Sequence, residues 1–140
     1  MDGDDSEWKG EKPVLKTDDM TLTVRYDEKF IYFLVRKDGI SLKKQKLYIP
    51  IDITARSGSL YCRNENLLMD RPADFLMIID GEKNSRVLVQ ERYEALRSTY
   101  SVNVKDYDTY IKGNIPDKDS PEFVPVNMIL QTCLLYTSPS

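Results

Sequence analysis

Four residues, Tyr48, Tyr61, Arg63 and Arg71, gather around the stretch 54–73 and carry the clearest ligand chemistry in the chain. A pyranose ring has an apolar C–H face that stacks on an aromatic ring, and guanidinium groups nearby can bind its hydroxyls. The competing reading is ordinary amphipathic side chains at a domain surface, and the residue types favour that plainer role. A second constellation is the acidic opening, Asp2, Asp4, Asp5 and Glu7. Hard oxygen ligands at near-alternate positions can hold Ca²⁺, which takes six to eight oxygens. No twelve-residue EF-hand spacing follows, so solvated loop charges are the preferred reading. Asp52, Asp74 and Asp80 stand at the ends of apolar runs. They can bind calcium or pair with Arg71 and Arg86. Strand-end Asp residues also cap turns by accepting backbone N–H groups, and turn and ion-pair roles are expected here.

Other chemistry is excluded by what the chain lacks. It has no His, which removes Ser-His-Asp and Cys-His catalysis and His-ligated zinc. Two Cys occur, Cys62 and Cys133. Cys62 is expected to pack as a small apolar side chain. Paired carboxylates can hydrolyse glycosides, but nothing in the spacing brings two of them into one cleft. The net charge of −3 gives no basic footprint for nucleic acid or an anionic membrane. No apolar run approaches the roughly 18 residues that span a bilayer. With 41% hydrophobic and 31% charged residues over 140 positions, the chain has the composition of one globular domain.

The elements that must position these residues are mostly strands. Met20 to Tyr26 alternates apolar and polar, the period of a half-buried strand with Met20, Leu22, Val24 and Tyr26 inward. Asp27-Glu28 turns it into Phe30–Val35, and Lys37-Asp38-Gly39 closes the hairpin. Lys46–Ile53 reads as a third strand with an edge or bulge at Pro50. Residues 54–73 read as a long loop. Asp74–Asp80 and Arg86–Gln90 form a second hairpin across an Asp80-Gly81 turn. Tyr93, Leu96 and Tyr100 recur at helical spacing, so Glu91–Tyr100 is a short helix with those residues in the core. Val102–Tyr110 is a weak strand and Ile115–Pro121 a turn-rich loop. A last strand runs from Phe123 to Leu130, interrupted by Pro125.

Two stretches carry a family likeness. Asp2-Gly3-Asp4-Asp5-Ser6-Glu7-Trp8 resembles the Asp-Gly-x-x-x-(Asp/Glu)-Trp opening of carbohydrate-binding-module family 9-like and DOMON-like β-sandwiches. Tyr26 to Val35 is similar to their early hairpin. Ile49-Pro50-Ile51-Asp52 and Phe75 to Asp80 are similar to later strands that end in Asp. The resemblance implies an all-β sandwich of immunoglobulin-like layers with one short helix, in which Trp8, Asp52 and Asp80 are structural. It also implies a non-catalytic accessory module of a larger extracellular or cell-surface bacterial protein. Residues 52–97 look like modules of anaerobic Gram-positive bacteria that follow a glycoside-hydrolase-like region. The partners implied are a carbohydrate and a neighbouring domain of the same polypeptide. The alternatives are a domain that only packs against a catalytic domain, or a fragment of a glycoside hydrolase. Sugar-binding family 9 modules grip sugar between two exposed Trp rings; here Trp8 is the only Trp.

Cys133 to Ser140 resembles a translated sequencing-library adapter. The expectation is an incomplete sandwich over residues 1–132, with 133–140 foreign to it.

Overall fold

The computed structural model describes residues 5–41, 44–53, 57–81, 83–99 and 113–126. It is mostly β, with three antiparallel sheets and one short helix, as the sequence pattern leads one to expect. The chain divides into two compact units, one built on described residues before Lys46 and one from Lys46 onwards.

The first unit is a three-stranded sheet of β1 (Leu15–Lys16), β2 (Met20–Tyr26) and β3 (Ile31–Lys37), in the order β1-β2-β3. β2 and β3 pair over their whole length, from Met20 opposite Lys37 to Tyr26 opposite Ile31. A 3₁₀ turn, Ser6–Trp8, precedes them. The expected inward face is corrected here. The deepest residues on this hairpin are Thr23 and its partner Leu34, whereas Tyr26 is 80% exposed and Met20, Leu22 and Val24 are half-buried. The cause is Trp8. It is buried and lies against Arg25, which shares Thr23's side of the strand by the alternation of β structure. Strand periodicity reports polarity along one segment and cannot see a ring arriving from another.

The second unit holds β4 (Leu47–Ile51), β7 (Phe75–Ile79), β8 (Arg86–Gln90) and β9 (Phe123–Pro125) in the order β4-β7-β8-β9. A separate pair is made by β5 (Ser59–Cys62) and β6 (Leu67–Ala73). The long loop expected over 54–73 is therefore mostly a hairpin. Its turn, Arg63 to Asn66, is closed by the Asn66 amide donating to the Arg63 carbonyl, with Asn66 in the left-handed region at φ 48°. The hairpin escaped recognition because its inward residues are Ser59, Cys62, Met69 and Ala73, while Leu60 and Leu68 face out. With Ser59, Cys62 and Ala73 inside beside Met69, and Leu60 and Leu68 outside, the usual strand signal is weakened.

Pro50 sits on β4, an edge strand among the described residues, where a missing N–H does no harm. One core forms where the inward side chains of β5 and β6 meet those of the larger sheet: Cys62, Met69 and Ala73 against Leu76, Ile78, Leu88 and Phe123. This gives the unit a sandwich-like cross-section. Met77 and Val89, on the other side of the sheet, are also buried. There α1 (Glu91–Thr99) contributes Tyr93, which meets Phe75 edge-on at 4.9 Å between ring centroids. Tyr93 and Leu96 are half-buried. The expectations for Tyr100, for residues 102–110 and for the strand beyond Val126 fall outside the described residues.

Two buried polar side chains hold the irregular segments. Asp74 is fully buried and accepts the Ile53 amide at 2.7 Å and the Ser57 hydroxyl. Gln90, also fully buried, accepts the Gly58 amide at 2.8 Å and donates to the Lys118 and Ser120 carbonyls at 3.0 Å each. Gly58 has φ 125°, and a Cβ there would lie 3.0 Å from Pro72 Cβ. Only glycine suits both the conformation and the close approach.

Replacing Gln90 with Ala strands one amide and two carbonyls in buried surroundings. We expect Gln90→Ala to lower stability by about 2–4 kcal/mol in urea denaturation. Leu68→Ser, on a side chain 77% exposed, should change it by less than about 0.5 kcal/mol.

Candidate functional site

Three of the four residues singled out around 54–73 are engaged by partners of their own. Tyr48, on β4, packs against the core, and its hydroxyl donates to Glu65 Oε2 at 3.0 Å. Tyr61, on β5, donates to Asn66 Oδ1 at 2.6 Å within its own hairpin. Arg63 is ion-paired with Glu122. Arg71 is exposed on β6. Among the described residues, no hydrogen bond or ion pair joins the four to one another.

The group that organises this region is Glu65. Its side chain is 10% exposed and takes Arg86 at 2.5 Å on Oε1 and the Tyr48 hydroxyl on Oε2. Lys46 stands 3.9 Å away and also 3.8 Å from Asp80, which in turn lies 3.5 Å from Arg86. Burial alone would raise the Glu65 carboxyl, but the hydrogen bonds from Arg86 and Tyr48 outweigh it and hold it below its ordinary value. Burial and the bond to Glu65 push the Tyr48 hydroxyl up. Asp80 thus pairs with Arg86 and Asp74 accepts backbone N–H, the two roles expected of strand-end Asp residues. Asp52 is exposed. Burial pushes the Cys62 thiol up, which suits packing and disfavours the thiolate.

At the acidic opening, Asp5 accepts Arg36 at 2.6 Å. Glu7 lies 3.6 Å from Arg25, whose guanidinium also donates to the Glu7 carbonyl at 3.1 Å. Both carboxylates are engaged by arginine. Asp2 and Asp4 fall outside the described residues. Among the described residues no three acids or thiols are placed to hold a metal ion, and no helix is long and apolar enough to cross a membrane.

The aromatic surface that sequence reasoning missed is the tip of the β2–β3 hairpin. Tyr26 is 80% exposed, Phe30 58% and Ile31 64%. The Phe30 ring lies 6.1 Å from Tyr32, tilted by 56°. Behind them Arg25 is stacked between Tyr32, at 5.4 Å, and the buried Trp8, at 4.9 Å. The tip is held by Asp27. Its Oδ1 accepts the amides of Lys29 and Phe30, both at 2.8 Å, and its Oδ2 accepts the Tyr32 hydroxyl at 2.8 Å. These three bonds, the backbone amides first, hold the Asp27 carboxyl below its ordinary value. The bond from Tyr32 to Asp27 raises the Tyr32 hydroxyl. A signal existed in the sequence: aromatic residues on both sides of a turn whose first residue is Asp.

No protein-family model, curated protein or solved structure matches this chain.

The Glu65 node makes a pH prediction. A carboxyl depressed in the folded state contributes stability above its ordinary value of 4.5. That contribution is lost as pH falls through the lower folded value, because the unfolded chain takes up the proton first. Urea midpoints measured from pH 7 to pH 3 should fall in acid. Glu65→Gln should lose about 1–2 kcal/mol at pH 7 and show a flatter acid limb.

Proposed function

We propose that this chain is a non-catalytic accessory module of a larger, extracellular carbohydrate-active protein, and that it takes carbohydrate on the tip of its first hairpin. The carrying observation is the exposure of Phe30 beside Tyr32 on a turn fixed by hydrogen bonds. Aromatic faces held in water are unfavourable for folding and useful for stacking on the C–H face of a sugar ring. On this reading the ligand surface is Phe30 and Tyr32 rather than Tyr48, Tyr61, Arg63 and Arg71. The resemblance of residues 2–8 and 26–35 to family 9-like and DOMON-like sandwiches supports the same class of function.

The non-catalytic reading is supported by how the partly buried carboxylates are used. Glu65 serves Arg86 and Tyr48, and Asp74 serves the backbone at Ile53. Glycoside hydrolysis needs two carboxyl groups facing each other across open space.

Affinity electrophoresis through gels containing neutral plant or cell-wall polysaccharides tests the proposal. The protein should be retarded by at least one of them. Phe30→Ala should weaken binding by about fivefold or more, as loss of a stacked ring does, whereas Tyr26→Ala, on the other face of the hairpin, should weaken it less. Absence of retardation across a broad panel contradicts carbohydrate binding and leaves the packing-domain reading.

A further inference from the structure

Resting on that carbohydrate reading, we infer that Asp27 is the positioning residue of the hairpin-tip surface, a carboxylate that never touches the sugar but sets the rings that do. The geometry is economical. One carboxylate oxygen takes the amides of Lys29 and Phe30, and the other takes the Tyr32 hydroxyl. The Asp27 amide itself donates to the Phe30 carbonyl at 3.0 Å. Phe30 is therefore gripped at both its amide and its carbonyl, and Tyr32 at the far end of its ring. These are the two rings that meet at 6.1 Å.

A four-residue connection carrying an exposed Phe would otherwise sample many backbone states, and a ligand would have to order it on binding. Order already present removes that penalty from the affinity. Bonds to an ionised acceptor are stronger than neutral ones, so a carboxylate suits the task better than a hydroxyl. The charged groups around it are consistent with a held carboxylate. Arg25 lies on the neighbouring strand and contributes a small attraction, while the remaining bonds are local.

Three variants separate positioning from bulk stability. Asp27→Ala removes both acceptors. Asp27→Asn keeps an oxygen for the two amides. Tyr32→Phe keeps the turn and frees the ring. Hydrogen exchange of the Lys29 and Phe30 amides, measured without ligand, should accelerate in Asp27→Ala and be restored in Asp27→Asn. Binding to the neutral polysaccharide that retards the wild type should weaken by about three- to tenfold in Asp27→Ala, and by less in Tyr32→Phe. Thermal melting should show each variant folded at the assay temperature. Unchanged exchange, or unchanged affinity, in a folded Asp27→Ala overturns the positioning role and leaves the platform standing. A wild-type protein that binds no polysaccharide overturns both.

Discussion

The wholly buried amide of Gln90 is the interaction on which the larger unit depends. The strands of that unit pair with one another, but the segments around Gly58 and between Lys118 and Ser120 are held by the Gln90 side chain. A buried backbone group without a partner is expensive, so irregular chain can cover a sheet only where side chains supply partners. Gln90 does so at the end of β8, and Asp74 does so at the start of β7, taking the Ile53 amide. The Gln90 amide also donates to the Asp74 carbonyl at 2.7 Å. Two adjacent polar residues thus anchor separate irregular segments, and the apolar core from Cys62 to Phe123 can close beside them.

The smaller unit uses the same device with a different purpose. Arg25 stacks on Trp8 and Tyr32 and donates to the Glu7 carbonyl, tying the opening segment to the hairpin. Asp27 fixes the turn beyond it. Here the rings nearest the turn are left in water. Rigid support under exposed aromatic side chains is the arrangement a binding surface requires, since flexible rings would lose to entropy what they gain by stacking.

Charged groups of the larger unit satisfy one another. Glu65, Asp80, Lys46 and Arg86 neutralise one another at one end of the larger sheet. The exposed pairs among them add little stability, but the Glu65–Arg86 pair is shielded enough to matter. The same network explains why Tyr48 is not a free stacking ring: its hydroxyl is the neutral partner of a shielded carboxylate.

From the sequence alone came the all-β class, the two hairpins at 20–37 and 75–90, the helix after Gln90 and the restriction of Pro50 to an edge or a bulge, of which the fold shows the edge. Each rests on information within a few residues: a period of two, a turn dipeptide, a spacing of three and four, a missing N–H. The sequence also pointed to capping and pairing by strand-end Asp residues, but the Ile53 and Ser57 partners of Asp74 lie 21 and 17 residues away and came only with the fold. The hairpin 59–73 was hidden, because three of its inward residues, Ser59, Cys62 and Ala73, are small and Leu60 and Leu68 face solvent. Which side of β2 is covered was decided by Trp8, and the closure of Tyr48 by Glu65, from positions 12 or more residues away. Residue type told that aromatic rings and carboxylates were present. Only the tertiary structure decided which rings were buried against partners and which, at Tyr26 and Phe30, were left facing water.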